Sequence, residues 1–183
     1  MAISDFERAV TEIRAIKPRP EISIEEVPAP QKLAPFAVAF NIEVLSDTDA
    51  SATGRFVLLH DPSGQDGWSG EFRCVTYARA AIDAEMANDP LMCDVGWAWL
   101  MDSLRKHGCD YVAPSGTVTR VASVAYGMLA DREDDSEVEV RASWTPVQGR
   151  DVANHMRAWL ELLELACSLE PIPEGVTPLS QRR

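Results

Sequence analysis

The sequence predicts an α+β fold, an antiparallel sheet of about five strands with three helices packed on it in two layers. Three observations carry this prediction. Apolar residues recur at helical spacing in three separate segments, they alternate at strand spacing in four others and run on both faces of a fifth, and the strand segments are joined by short links that favour antiparallel hairpins. The predicted order is α-β-β-β-α-β-β-α, with one domain over residues 1–170 and a flexible C-terminal tail over 171–183.

The first helix starts at a capping box, Ser4 with Glu7, in which each side chain satisfies an orphan backbone N–H. Phe6, Val10, Ile13 and Ile16 form its inward stripe, and Pro18 and Pro20 stop it. Residues 21–35 hold Pro28, Pro30 and Pro35 and read as an extended connector with room for a short edge strand at Ile22–Val27. Phe36, Val38, Phe40, Ile42 and Val44 alternate as a half-buried strand, closed by a polar turn at Ser46–Ser51. Phe56-Val57-Leu58-Leu59 is apolar on both faces, as in a central strand covered on both sides. A third strand spans about 68–81, with Phe72, Cys74 and Thr76 opposite Arg73, Val75 and Tyr77.

The second helix is predicted from Asp94 to Gly108, with Trp97, Leu100, Met101 and Leu104 as its main stripe. Val95 and Trp99 form a second stripe roughly 160° away on a wheel of 3.6 residues per turn. Strands at 117–126 and 137–144 flank the acidic loop Asp131-Arg132-Glu133-Asp134-Asp135. Asp151 caps the third helix, which turns Met156, Trp159, Leu160, Leu163 and Cys167 inward.

Charge excludes several functions. The 183 residues carry 17 Lys+Arg against 29 Asp+Glu, a net −12. The excess is spread as −7 over 1–90 and −5 over 91–183. Nucleic acids and anionic membranes select a positive surface, so neither is an expected partner. No stretch reaches the 18 or so apolar residues of a membrane helix, and the N-terminus is acidic and amphipathic, so a cytoplasmic location is expected. Cys74, Cys93, Cys109 and Cys167 lie far apart with no CxxC pair, and His60, His107 and His155 add no close ligand pair. Neither metal nor cofactor is expected, and the thiols read as reduced and mostly buried.

Catalytic constellations are scarce. Gly64, Gly67 and Gly70 precede a strand, whereas phosphate cradles precede a helix N-terminus. Arg120 shares an alternation face with Val118, Ala122 and Val124, and a guanidinium directed at a core must be paired by a carboxylate or a bound anion. A ligand site there would combine Arg120 with Arg55, His60 and Trp144. Val95 and Trp99 are the candidate interface residues, because an exposed indole tends to find a partner surface.

Five signatures occur in order along the chain: Gly54-Arg55-Phe56-Val57-Leu58-Leu59-His60-Asp61-Pro62, Phe72-Arg73-Cys74-Val75-Thr76-Tyr77, Val95-Gly96-Trp97-Ala98-Trp99-Leu100, Ser115-Gly116-Thr117-Val118-Thr119-Arg120, and Arg141-Ala142-Ser143-Trp144-Thr145-Pro146. Together they resemble the actinobacterial family catalogued as domain of unknown function 3000. That resemblance implies no activity and no catalytic residue. The element order alone looks like the acidic secretion chaperones, which are usually dimers that bind segments of other proteins. The expectation is therefore a non-catalytic acidic module that binds a protein partner or itself. The alternative is a small-molecule enzyme or sensor with an anionic ligand near Arg120.

Overall fold

A computed structural model describes residues 4–45, 50–169 and 172. The predicted turn at Ser46–Ser51 lies mostly outside these residues, as does the predicted tail, Ile172 apart.

The α+β class holds, with six strands instead of about five and four helices instead of three among the described residues. Helix α1 (Asp5–Arg14) begins at the Ser4–Glu7 capping box and buries Ala9, Val10 and Ile13. Strand β1 (Ile22–Val27) is the short edge strand of the connector. Strands β2 (Phe36–Leu45), β3 (Ala50–His60) and β4 (Phe72–Ala81) follow. The additional helix α2 (Ala84–Asn88) has five residues, too few to show a helical period, and Asp83 caps it by accepting from the Met86 N–H. Helix α3 (Met92–Lys106) begins two residues before Asp94. Strands β5 (Tyr111–Ser123) and β6 (Asp135–Pro146) form a long hairpin, and α4 (Val152–Ala166) closes the fold from Asp151.

All pairings are antiparallel, in the order β1-β2-β3-β4-β6-β5. Alternate residues of the strands form one large core with the helices: Phe40, Ile42, Phe56, Leu58, Cys74, Val140 and Trp144 lie against Leu100, Leu104, Met156, Trp159 and Leu163. Among the described residues, the opposite face carries no helix. Its smaller cluster joins Ala39, Val57 and Leu59 to Ala29, Ala34 and Trp68 from the loops. The two-sided apolar run Phe56–Leu59 thus sits third in the sheet and is covered on both faces.

The stripe of α3 differs from the predicted one. Its buried line is Met92, Gly96, Leu100, Ser103 and Leu104, and Trp97, Trp99 and Met101 are all half-buried against the core. The glycine explains the shift. A Cβ at Gly96 would approach Val118 to 3.0 Å, so the helix backbone lies close to β5 at this point. The two indoles therefore flank one contact line, and Trp99 does not point away from the fold.

Candidate ligand-binding site

The four residues expected to share a site are placed apart. Arg55 lies on the helix-free face of β3, where its guanidinium donates to the Pro28 carbonyl at 3.2 Å. His60 ends the same strand inside an aromatic cluster, stacked on Phe72 at 4.2 Å between centroids with Phe6 and Phe36 alongside. Its Nδ1 has no hydrogen-bond partner, as befits a ring held by packing. Trp144 is fully buried, and its indole N–H donates to Nδ1 of His155 at 2.9 Å.

Arg120 does share the helix-side face with Val118, but β5 is the outermost strand, so its side chain reaches the rim and stays exposed. The guanidinium donates to the carbonyls of Ala87 at 3.4 Å and Asp89 at 2.5 Å, at the C-terminal end of α2. Its partners are helix-end carbonyls, which attract a cation, and neither a carboxylate nor an anion is required. Of the two proposed interface residues, Val95 is exposed and Trp99 is half-buried.

The buried guanidinium is Arg73. It stands on the helix-free face of β4 with Val75 and Tyr77, and it is only 7% exposed. One Nη donates to the Ala113 carbonyl at 2.8 Å and to Thr145 Oγ1 at 3.2 Å. The other donates to Ser143 Oγ at 2.7 Å and Ser115 Oγ at 3.1 Å. Thr145 in turn donates its hydroxyl to the Trp68 carbonyl, which ties the covering loop to the same point. Ala113 adopts a left-handed φ of 50° at a break in the β5–β6 register between Val112 and Ser115. This local strain aims its carbonyl at the arginine.

All four acceptors are neutral, and among the described residues no carboxylate is paired with Arg73. Burial accordingly holds its pKa below the usual arginine value. Hydrogen bonds satisfy its four Nη N–H groups, but the charge is left without a counter-charge among the described residues.

A depression of about 410 Å³ opens beside it on the same face. The sheet register dictates its walls. Arg55, Tyr77, Arg141 and Thr117 stand in one row across β3, β4, β6 and β5, and Val57, Val75, Ser143 and Ser115 in the next. Neighbours in such a row are roughly 5 Å apart, so Arg55 and Arg141 flank Tyr77 over an apolar floor. Arg141 lies 5.2 Å from the Tyr77 ring centre and pairs with Glu139 at 2.9 Å. The Tyr77 hydroxyl donates to the same carboxylate at 3.1 Å; burial, and then that bond, raise its pKa. Arg55 and Arg141 line the depression and Arg73 adjoins it, while Glu139 pairs with Arg141 and Glu137 with Arg79 alongside, on a protein whose net charge is −12.

Sequence reasoning grouped Arg55 with Arg120, His60 and Trp144 and did not single out Arg73, Tyr77 or Arg141. The available signal was Trp68 with the apolar Val57, Leu59 and Val75, which together show that this face is partly covered.

A model of the family of proteins of unknown function DUF3000 matches residues 2–177. The chain belongs to the DUF3000 family. Comparison with curated proteins and with solved structures gave no significant match. Among the described residues, no helix of this DUF3000 protein is long and apolar enough to cross a membrane, and no group of His, Cys, Asp and Glu is arranged to hold a metal ion.

Proposed function

We propose that the protein is a binding module whose helix-free sheet face takes an anion with an apolar body. The observation that carries this reading is Arg73, a buried guanidinium with four neutral acceptors and no counter-charge. An anion seated between Arg55 and Arg141, with Ser115 and Ser143 beneath it, supplies the missing charge next to the buried cation. Val57, Val75 and the Tyr77 ring offer apolar surface for the rest of the ligand. The lining residues include neither histidine nor cysteine, and the two serines are engaged with Arg73, so the set is suited to binding more than to proton transfer or nucleophilic attack.

Thermal unfolding with a panel of anions at constant ionic strength tests this reading. The panel comprises chloride, acetate, phosphate, hexanoate, benzoate and phenyl phosphate. An anion present at a hundred times its Kd adds about 2.7 kcal/mol, which for a domain of this size raises Tm by roughly 5–10 °C. Amphiphilic anions should give such a rise, and Arg55→Ala combined with Arg141→Ala should remove it. A panel in which no anion exceeds chloride contradicts the reading.

A second reading, that the module also holds a protein, is supported by the β5–β6 hairpin, where Val124, Tyr126, Met128 and Leu129 are exposed together. The four free cysteines support a cytoplasmic location, where thiols stay reduced.

A further inference from the structure

The two edges of the sheet are built differently. β1 has six residues, carries Glu25 and Glu26, ties Glu26 to Arg14 at 2.8 Å and is followed by Pro28. Shortness, charge and a nearby proline are what keep an edge strand from pairing with another chain. β5 has thirteen residues and lacks that protection over residues 115–123. The whole stretch from Tyr111 to Ala130 contains a single charged residue, Arg120, although a quarter of the chain is charged. Arg120 is itself engaged with the Ala87 and Asp89 carbonyls.

We infer that the β5 edge pairs with β5 of a second copy of this chain, antiparallel, about a two-fold axis at Thr119. The position of the axis follows from the strand. Pro114, which has no N–H to donate, and the register break beside it end the regular edge on one side, and Ser123 ends it on the other. The usable stretch, 115–123, is centred on Thr119. It extends for about 30 Å at the usual strand rise.

Exposed apolar residues fit the same axis. Val112 and Val147 are 38% and 36% exposed at one end of the strand, and Tyr126 and Met128 are 79% and 99% exposed at the other. The Val147 N–H donates to the Asp110 carbonyl, which fixes it beside the start of β5. Rotation about Thr119 brings the end of one copy that carries Tyr126 and Met128 towards the end of the other that carries Val112 and Val147, so each end covers its complement. Charge favours the same arrangement. Two copies at −12 repel over most of their surfaces, and the neutral strip is where they meet with least like charge. The acidic runs 131–135 are carried to opposite ends of the pair. This interface does not depend on the anion site.

The test is the mass of the full chain in solution, measured by sedimentation equilibrium between about 1 and 100 µM, the range in which weak dimers form. The expected result is reversible approach to twice the 20.1 kDa of one chain. Thr119→Lys places like charges opposite each other across the axis while facing Glu139 within its own chain, so it should stay folded and raise the dimer Kd at least tenfold. Thr119→Cys should oxidise to a covalent dimer, whereas Ser23→Cys on the β1 edge should not. A monomer throughout the range overturns the inference. So does a dimer indifferent to Thr119→Lys, or one cross-linked equally well through Ser23→Cys.

Discussion

The indole N–H of Trp144 donates to Nδ1 of His155 at 2.9 Å, and both side chains are buried in the main core. The bond fixes the tautomer, since a ring nitrogen that accepts carries no proton. Burial pushes the His155 pKa down to about 4, against a weaker opposing pull from Asp151 and Asp110. The unfolded chain therefore binds a proton near pH 6.5 that the folded protein refuses until about pH 4. Stability is greatest above pH 6.5 and falls as the pH drops through that window. The expected loss between pH 7 and pH 5 is about 2 kcal/mol, measured by denaturant unfolding. His155→Gln, whose amide oxygen can accept from Trp144, should flatten this slope. The carboxylates Glu21 and Glu26, held low by Arg19 and Arg14, lose their contributions only at lower pH.

Trp97 and Trp99 flank the contact line of α3 at similar burial, so their truncation should have similar effects. Each change to Ala is expected to destabilise by about 1–3 kcal/mol, less than a fully buried aromatic. Gly116→Ala should cost about as much, because a Cβ there falls 2.8 Å from Trp97 and against the Arg141 carbonyl. Urea unfolding of the three variants checks this. Trp99→Ala at wild-type stability would contradict it.

The thiols give a chemical test. Burial raises the pKa of Cys74, takes Cys109 to about 12 and brings Cys167 to about 11. At pH 8 these three should react slowly with an aromatic disulfide reagent, while all four react in denaturant. A chelator should leave Tm unchanged. A drop of several degrees would reveal a structural metal, since such a metal contributes folding energy directly.

The class of the fold was legible because alternation in β2 and β6 and the two-sided run in β3 report burial directly. The helix α2 was not, since five residues show no period and only the Asp83 cap marks it. The site was legible in logic and misplaced in residue. The rule that a buried guanidinium needs a counter-charge was applied to Arg120, whose alternation face is apolar. In a sheet edge strand that face ends at the rim, and a long side chain escapes along it. Arg73 shares its alternation face with Val75 and Tyr77, a mixed pattern that does not mark burial. It is held by the bulge at Ala113 and by Ser115, Ser143 and Thr145, contacts far away in sequence that no local period records.

Docking of an anion on the helix-free face beside Arg73 can be followed residue by residue. The most direct measurement is a titration of the full-length, ¹⁵N-labelled protein with the panel anion that raises Tm most, followed through its amide resonances. Saturable shifts confined to residues 55–57, 75–77, 115–117 and 141–143, and lost in Arg55→Ala/Arg141→Ala, are the predicted result. Shifts centred around Arg120 and α2, or small changes everywhere that track ionic strength alone, would contradict it.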